Sequence, residues 1–298
     1  ILKEYRGSEG RAEFLYSLLQ FLKERGDGQV DAIVRTREGG ALARSADGTA
    51  YLVREWYEGR ECDTRNQEDI LKAISQLADI HNVVRAFPNE IPGYLQVSGD
   101  ALLVENEKHA RELKKIRNYV SSRKKKNEFE SGFLKSFGMF YEEAQKIIEL
   151  QRQELAKEQK AGGGEGIYGI CHGDYNQHNV LFCRPGIAVL NFEKASYDVQ
   201  AADLGNFMRK ILEKHNWDIA LGMEMLRAYS DVRPLSKQEE KQLYIRLGFP
   251  EKFWKIANHY FNANKAWVCG RNLEKLEKFI CQNEDREKFL RRMAENVV

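Results

Sequence analysis

The sequence predicts an α+β fold with a small strand-rich lobe at the N-terminus and a larger, mainly helical lobe after it. Three observations support this prediction. Short apolar runs separated by Gly-containing turns fill residues 32–56, next to one amphipathic helix. From residue 67 onward, apolar residues recur at helical spacing in one segment after another. A strand-rich island at residues 166–190 interrupts this run of helices.

One helix and three short strands account for the first lobe. The helix spans residues 9–23, where apolar side chains recur every three or four positions: Phe14, Leu15, Leu18, Leu19 and Leu22. Gly26 and Gly28 follow as residues that end a helix. Strands are predicted at residues 32–35, 41–43 and 50–56, because Gly-containing turns separate them.

The second lobe begins after the segment Tyr57-Glu58-Gly59, so the predicted lobes comprise residues 1–57 and 58–298. Its first helix, at residues 67–83, carries apolar residues on one face. Further helices are predicted at residues 106–122, 133–157, 199–214, 217–230, 237–247, 250–260 and 273–295. The strands of the island are predicted at residues 167–170, 179–182 and 187–190.

The composition is that of a charge-balanced globular chain. Its 298 residues include 47 Lys plus Arg and 45 Asp plus Glu, for a formal net charge of +2, and 42% are hydrophobic. These values exclude collagen-like, low-complexity and wholly disordered classes. No apolar run approaches the roughly 18 residues that a membrane span needs. We therefore expect synthesis in the cytoplasm and no membrane partner.

The cysteines and the N-terminus add two expectations. The five cysteines are widely spaced and form no C-x-x-C pair, which argues against a disulfide framework and a zinc site and favours a reducing compartment. The sequence begins Ile1-Leu2-Lys3, without Met, in the middle of a predicted strand. We expect that strands upstream of Ile1 are missing, among them a hairpin that would cover a nucleotide.

A strongly basic segment lies at residues 111–127. It holds eight Lys and Arg residues against Glu112 alone, a net charge of +7, so the rest of the chain carries −5. Such a surface attracts phosphates or an acidic partner, whereas a solvated helix end is the alternative. The segment has no interleaved aromatic ladder, which argues against nucleic acid as the partner.

The residues that carry chemistry lie in the island. His172-Gly173-Asp174 is followed by Asn179, and Asn191-Phe192-Glu193 comes twelve residues after Asn179. This spacing matches the kinase pattern H-x-D-x-x-x-x-N with a metal-binding triplet of the D-F-x type. In that pattern the Asp accepts the proton of the attacking hydroxyl, and the Asn and the triplet face the metal that bridges the ATP phosphates.

Three segments resemble the CotS-type family of spore coat proteins, within the aminoglycoside and choline kinase-like phosphotransferase superfamily. They are the Gly173-Asp174-Tyr175 segment with His178-Asn179-Val180-Leu181-Phe182, the segment from Glu55-Trp56-Tyr57 to Asp63, and the Phe249-Pro250-Glu251-Lys252-Phe253-Trp254 segment with the residues up to Tyr260. The resemblance covers nearly the whole chain. It implies a two-lobed protein-kinase-like fold of the aminoglycoside phosphotransferase type, the cofactors ATP and Mg²⁺, and a place in the spore coat of a sporulating bacterium.

The resemblance also implies roles in the first lobe. Lys3 would hold the ATP phosphates, with Glu13 on the following helix as its ion-pair partner; an exposed strand-end lysine is the alternative. Glu55, Trp56 and Tyr57 would form the hinge that meets adenine, unless they are only an interlobe strand.

In the second lobe, the resemblance implies that Asp174 is the catalytic base and that Asn179, Asn191 and Glu193 lie at the metal. His172 and Asp203 would support the catalytic loop structurally. The acceptor would bind among the C-terminal helices, where the residues carry no readable code for its identity.

Position 191 departs from the superfamily pattern, which requires Asp. Asn191 keeps one carbonyl oxygen but loses the negative charge, and Mg²⁺ prefers carboxylate and phosphate oxygens. Glu193 and Asp198 are candidates for partial compensation, with a solvated loop carboxylate as the alternative for both.

Two hypotheses follow. The first is a transferase that moves the γ-phosphoryl group of ATP to a small-molecule hydroxyl, with Asp174 as base. The second, which Asn191 favours, is a pseudokinase: a catalytically weakened kinase-like component of the spore coat, whose partners are other coat proteins or an acidic surface bound through residues 111–127.

Overall fold

The computed structural model describes residues 1–26, 28–160, 166–184, 186–262 and 269–297. Contacts within the chain divide it into two units. The first unit consists of Ile1–Val97, Gly166–Lys214 and Ala220–Glu239, and the second of Ser98–Glu165, His215–Ile219 and Glu240–Val298. The predicted α+β class, with strands in the N-terminal part and mainly helices after it, is confirmed. The lobe boundary between residues 57 and 58 stays a prediction.

The described residues form ten strands, ten α-helices and three short 3₁₀-helices. The strands are β1 (Leu2–Glu4), β2 (Gln29–Val30), β3 (Ile33–Val34), β4 (Ala43–Arg44), β5 (Ala50–Arg54), β6 (Gly59–Glu61), β7 (Tyr168–Cys171), β8 (Val180–Cys183), β9 (Ile187–Val189) and β10 (Ser196–Val199). The helices are α1 (Glu9–Arg25), α2 (Gln67–Val84), α3 (Ala101–Ser122), α4 (Glu128–Lys160), α5 (Ala201–Lys214), α6 (Ile219–Val232), α7 (Lys237–Gly248), α8 (Glu251–Asn262), α9 (Cys269–Cys281) and α10 (Asn283–Val297).

Helix α1 forms where the apolar spacing predicts it. Its N-cap is Ser8, whose hydroxyl accepts a hydrogen bond from the Arg11 amide at 3.2 Å, and its apolar face is buried. The helix ends at Gly26, whose amide donates to the Leu22 carbonyl at 2.8 Å. It extends two residues past the predicted end because Glu24 and Arg25 complete the last turn.

Strand β5 is central to the first sheet, since β1, β3 and β4 all pair with it in antiparallel fashion. Lys3 on β1 lies opposite Leu52 on β5. Leu52 and Arg54 are two residues apart, so they lie on the same face of the strand, and both are buried. The sheet therefore places a guanidinium group on its covered face.

The second sheet has the order β2-β9-β8-β6, with β2 parallel to β9 and the other pairs antiparallel. It holds the hairpin β8–β9 that joins Asn179 to Asn191, and the Leu190 amide closes this hairpin by donating to the Asn179 carbonyl at 2.9 Å. The sequence did not predict β2, β6 or β10. These strands are two to four residues long, and they depend on a partner strand rather than on an apolar pattern of their own.

A buried chain of hydrogen bonds runs from helix α6 to the loop after β7. Arg233 Nη1 donates to the Tyr229 hydroxyl at 3.1 Å, and that hydroxyl lies 2.7 Å from His81 Nδ1. His81 Nε2 lies 3.3 Å from Asp203 Oδ2. Burial lowers the pKa of His81, so the imidazole is neutral and donates from Nε2 to the carboxylate.

Asp203, near the start of α5, is where this chain of hydrogen bonds ends. Its carboxylate accepts from the His172 amide at 2.6 Å and from the Gly173 amide at 3.0 Å. Burial opposes the charged form of Asp203, but the hydrogen bonds from the His81 side chain and the His172 amide outweigh it and lower the pKa of Asp203. The carboxylate thus ties the loop after β7 to helix α5.

The second unit is a helical array with an aromatic core. Helices α3, α4, α8 and α9 supply its fully buried side chains, which include Phe129, Phe133, Phe140, Phe253 and Phe279. Phe133 stacks on Phe253 with ring centroids 5.3 Å apart. Among the residues that the structure describes, no helix is long and apolar enough to cross a membrane.

The predicted single helix at residues 273–295 is wrong. The segment forms two helices, α9 and α10, that separate at Gln282. Gln282 and Asn283 are buried polar residues, and their side chains bind outside their own helices: Gln282 Nε2 donates to Asn216 at 2.7 Å and Asn283 Nδ2 donates to Glu143 at 3.1 Å. The N–H groups of these two buried amides therefore have partners at the break between the helices.

The basic segment at residues 111–127 covers the end of α3 and the connection to α4. Its lysines and arginines are exposed. Arg123 pairs with the buried carboxylate of Glu130, and Arg111 lies 3.6 Å from Glu107. The five lysines of the segment have no ion-pair partner among the described residues: Lys114, Lys115, Lys124, Lys125 and Lys126, the last of which donates to the Arg123 carbonyl.

Replacing Asp203 with Asn will destabilise the first unit. The substitution removes a buried negative charge and places an N–H group against the amide donors of His172 and Gly173. We expect the free energy of unfolding to fall by about 2–4 kcal/mol, measured by urea denaturation. Asp100→Asn is the matched control at an exposed site and is expected to change it by less than about 0.5 kcal/mol. Equal effects of the two substitutions would contradict the assigned role of Asp203.

His109 makes the stability of the second unit sensitive to pH. Its ring stacks on Trp254 with centroids 3.4 Å apart, and burial lowers the pKa of His109 to about 4. The unfolded chain takes up this proton near pH 6.5 and the folded chain only near pH 4, so stability falls as the pH drops through that window. The expected loss is roughly 2 kcal/mol at pH 4 relative to pH 7. A His109→Phe variant keeps the aromatic stack but has no titrating group at this position. We expect its free energy of unfolding to lack this loss between pH 7 and pH 4, measured by urea denaturation of the variant and the wild-type protein at each pH.

Candidate functional site

The loop from His172 to Asn179 follows β7 and is held by its own histidine. His172 Nε2 lies 2.9 Å from the Leu190 carbonyl, and the Asp174 amide donates to His172 Nδ1 at 3.1 Å. These two bonds require the tautomer with the proton on Nε2. The imidazole therefore bridges the loop to the segment that carries Asn191.

Gly173 allows a close approach between this loop and the segment after Asn191. Its φ is +78°, and a Cβ at this position would lie 2.1 Å from the Lys194 carbonyl oxygen. Any side chain at position 173 would therefore push the two segments apart. The close packing explains why Asp174 and Lys194 lie side by side.

Asp174 projects into a cleft of about 600 Å³. Its Oδ2 accepts from Lys194 Nζ at 2.9 Å and its Oδ1 from Asn176 Nδ2 at 3.1 Å. Partial burial opposes the charged form, yet Lys194 and then Asn176 outweigh it and lower the pKa of Asp174. The carboxylate is therefore ionised and able to accept a proton.

Asn179 and Asn191 are joined by a hydrogen bond between their side chains. Asn191 Nδ2 donates to Asn179 Oδ1 at 2.8 Å, and Asn191 Oδ1 accepts from Lys3 Nζ at 3.0 Å. The opposite amide orientation would point an N–H group at the lysine ammonium, so the hydrogen bonds fix the orientation. Asn191 has φ +67°, in the left-handed region that Asn adopts more readily than most residues.

Glu193 is the acidic residue of the triplet and is bound by two cations. Its Oε1 lies 2.5 Å from Lys3 Nζ and 3.5 Å from Arg54 Nη2. Burial opposes its charge, but Arg54 and then Lys3 outweigh it and lower the pKa of Glu193. Arg11 fixes the backbone here, since its Nη2 donates to the carbonyls of Glu193 at 2.8 Å and Ala195 at 2.7 Å.

Asp31 completes a charged network behind the cleft. Its Oδ2 lies 2.8 Å from Arg54 Nη1, and the Asn191 amide donates to both of its carboxylate oxygens, at 3.1 and 3.2 Å. Burial raises the pKa of Asp31 despite the neighbouring Arg54. The network therefore fixes the backbone position of Asn191.

The predicted ion pair between Lys3 and Glu13 is wrong. Glu13 Oε2 lies 3.0 Å from Arg35 Nη2, and its Oε1 accepts from the Ala41 amide at 2.9 Å. Both oxygens of Glu13 therefore have local partners on the same side of α1. Lys3 pairs instead with Glu193, which lies 190 residues away in the sequence.

The predicted hinge residues lie between β5 and β6. Glu55 pairs with Lys23, and its amide donates to the Ala32 carbonyl at 2.9 Å. The Tyr57 hydroxyl donates to the Val30 carbonyl at 3.1 Å, and burial together with Glu55 raises the pKa of Tyr57 to about 12. Trp56 is 64% exposed. Adenine binding by these three residues stays a prediction.

The cleft brings together five of the predicted site residues. Its lining is Lys3, Glu4, Tyr5, Arg6, Gly7, Arg11, Asp174, Asn179, Asn191, Glu193 and Lys194. Glu13, the hinge residues and Asp198 are not among them. Asp198 lies on β10 opposite Gly169, so compensation by Asp198 is not supported by its position.

Sequence reasoning missed four charged residues that contact the predicted site residues: Asp31, Arg54, Arg11 and Lys194. Arg54 carried a usable signal, because a charged residue two positions after Leu52 lies on the buried face of a predicted strand. Lys194 directly follows the triplet and was equally visible in the sequence. Asp31 and Arg11 carried no such signal, since both lie in segments without a motif.

The oxygen donors fit Mg²⁺ poorly. They comprise the carboxylate of Glu193 and the neutral amide oxygens of Asn179 and Asn191. Each of these three oxygen groups already accepts a hydrogen bond from an N–H donor of the chain. Magnesium prefers near-octahedral coordination by carboxylate, phosphate and water oxygens. Within the described residues, no group of three or more His, Cys, Asp or Glu side chains is placed to hold a metal ion.

The family comparison covers nearly the whole chain. A family model described as "Spore coat putative kinase YutH" matches residues 1–293. Two curated relatives come from Bacillus subtilis (strain 168). Spore coat protein S is 26% identical over 129 residues, which is 43% of this chain and 37% of that protein. Endospore coat-associated protein YutH is 23% identical over 267 residues, which is 87% of this chain and 73% of that protein.

Solved structures share the fold. An aminoglycoside phosphotransferase from Alicyclobacillus acidocaldarius matches with a TM-score of 0.84 and 22% identity, over 99% of this chain and 86% of that chain. Amicoumacin kinase, solved with AMP-PNP and Ca²⁺, matches with a TM-score of 0.58 and 13% identity, over 96% and 81%. The predicted kinase-like fold of the aminoglycoside phosphotransferase type is thereby confirmed.

The fold and the match of the family model over residues 1–293 lead to one assignment. The chain belongs to the family of spore coat putative kinases described as YutH, as its resemblance to spore coat proteins predicted.

Proposed function

We propose that this protein is a spore coat component with a kinase-type cleft that binds ATP but transfers its phosphoryl group weakly. The coat location rests on the family and on the two Bacillus relatives, which are a coat protein and a coat-associated protein. The ATP ligand rests on the kinase-like fold and on the cations that line the cleft.

The observation that carries this proposal is the hydrogen bond from Asn191 Nδ2 to Asn179 Oδ1. With Asp at position 191, two oxygens would face each other at the 2.8 Å that now separates the two side chains. Only a bound cation would make that arrangement favourable. Asn191 replaces the cation with an N–H donor, and the metal that neutralises charge in phosphoryl transfer is bound less well.

The second candidate is an active phosphotransferase, and the state of Asp174 favours it. The carboxylate is ionised, faces the cleft and is positioned by His172 and Asp203. In this candidate Asp174 accepts the proton of an alcohol, whose oxygen bonds to the γ-phosphorus of ATP while the bond to the bridging oxygen breaks and ADP leaves. Lys194, at 2.9 Å from Asp174, lies where it can contact the transferred group.

Coat partners are proposed to bind the basic segment at residues 111–127. Its net charge of +7 and its unpaired, exposed lysines suit an acidic protein surface. The segment lies in the second unit, whereas Asp174 lies in the first unit.

Changing Asn191 to Asp tests the proposed weakness of the site. The variant regains a metal-binding carboxylate, so we expect at least a tenfold rise in ATP turnover with Mg²⁺ over the wild-type protein. The measurement is release of ADP with and without a panel of small alcohols. The double variant Asn191→Asp with Asp174→Asn is the control, and we expect it to lose the rise in ATP turnover. A wild-type protein that already turns over ATP as fast as the variant would favour the second candidate.

Replacing Asp174 with Ala tests the structural role in the coat. We expect the variant to enter the coat in wild-type amounts, because assembly needs the fold and not the base. The measurement is the fraction of a fluorescent fusion retained on purified spores. Lys124→Glu with Lys125→Glu is the comparison, and it should reduce retention severalfold. Loss of retention in Asp174→Ala alone, with unchanged thermal stability, would argue that activity is required.

A further inference from the structure

Arg54 is a buried cation directly behind the candidate metal site. It is 2% exposed, and its Nη1 pairs with Asp31 at 2.8 Å. Its Nε and Nη2 have no hydrogen-bond partner among the described residues, while Nη2 lies 3.5 Å from Glu193 Oε1. An arginine in such surroundings stays charged, so its positive charge is a fixed part of the site.

Lys3 adds a second cation in contact with the same oxygens. Its Nζ lies 3.0 Å from Asn191 Oδ1 and 2.5 Å from Glu193 Oε1. Glu13 does not compete for Lys3, because the Glu13 carboxylate binds Arg35 and the Ala41 amide. Lys3 therefore occupies two of the three oxygen groups that a metal would use.

A divalent cation at this position would be repelled from both sides. It would compete with Lys3 for Glu193 and Asn191, and it would lie close to Arg54, where little solvent screens the charges. A movement of Lys3 out of the site would remove one of the two cations. Arg54 would remain close to the divalent cation, because its side chain is buried on the covered face of β5. The one carboxylate among the candidate ligands is thus already neutralised by the chain itself.

The same cleft is suited to anions. Lys3, Arg6, Arg11 and Lys194 line it, against Glu4, Asp174 and Glu193. The side chain of Lys194 is 68% exposed and that of Lys3 is 43% exposed, so both ammonium groups are within reach of a ligand. Phosphate oxygens bind such cations directly.

We infer that the cleft binds a nucleoside triphosphate as the metal-free anion, with Lys3 and Lys194 at the phosphates and Arg54 as the buried charge that excludes a divalent cation. The inference rests on the proposed function for the identity of the ligand as ATP. Arg54 is a positioning residue, because it acts on the ligand only through Glu193 and the electrostatic field.

The first experiment uses the wild-type protein and isothermal titration with ATP at constant ionic strength. We expect the dissociation constant in excess EDTA to be equal to, or lower than, that in excess MgCl₂. AMP and tripolyphosphate should each bind at least tenfold more weakly than ATP. Binding that tightens tenfold or more with Mg²⁺, or no ATP binding in either buffer, would overturn the inference. Tripolyphosphate binding as tightly as ATP would overturn the assignment to a nucleotide.

The second experiment removes the buried charges as a pair. Asp31→Asn with Arg54→Met avoids leaving either partner uncompensated, and the amide oxygen of Asn can still accept from the Asn191 amide. Combined with Asn191→Asp, this variant should bind ATP at least tenfold more tightly with Mg²⁺ than with EDTA, provided that thermal melting shows it is folded. Its preference for Mg²⁺ should exceed that of Asn191→Asp alone, in which Arg54 still opposes the cation. Arg54→Lys keeps the charge and should retain metal-independent binding. A folded triple variant that binds ATP equally tightly in MgCl₂ and in EDTA would contradict the role of Arg54.

The two proposals can fail separately. Metal-independent ATP binding together with rapid phosphoryl transfer would contradict the weakened function and leave the inference standing. Binding that depends on Mg²⁺ without turnover would contradict the inference and leave the proposed function standing. Titration and ADP release on the same wild-type sample separate these outcomes.

Discussion

The charge of Arg54 is the constraint on which the cleft depends. A guanidinium buried on the covered face of β5 requires anions, and the chain supplies Asp31 on one side and Glu193 on the other. Asp31 in turn receives the backbone amide of Asn191, so the same network sets the position of the triplet. Glu193 then attracts Lys3. Four charged groups thereby neutralise one another at the predicted metal site.

The loop from His172 to Asn179 has a second set of supports besides that network. Asp203 binds the amides of His172 and Gly173, and His81, Tyr229 and Arg233 support Asp203 from behind. These contacts are buried and contribute to folding whether or not the site reacts. A chain can therefore keep the loop geometry and Asp174 while its metal ligands change. This separation of structural from chemical contacts is consistent with a kinase fold employed as a coat component.

The sequence was most informative where a local pattern was sufficient. The apolar spacing of α1 and the pattern from His172 to Glu193 led to the helix, the loop and the fold, because both depend on neighbours along the chain. Prediction from the sequence failed where two interacting residues are far apart along the chain. Lys3 was assigned to Glu13 by analogy, but the carboxylate of Glu13 is taken by Arg35 and the Ala41 amide. The strands β2 and β6 were missed because two or three residues carry no periodicity.

By itself, the sequence determined the α+β class, the kinase-type order of Asp174, Asn179 and the triplet, and the presence of Asn191 where the kinase pattern has Asp. Those are properties of residue type and spacing. Only the tertiary structure decided what this difference means: Asn191 bonds to Asn179, Lys3 binds Glu193, and Arg54 lies buried behind them. The physical reason is that electrostatic energy depends on distance and burial. Lys3 and Glu193 are 190 residues apart along the chain and 2.5 Å apart in the folded protein.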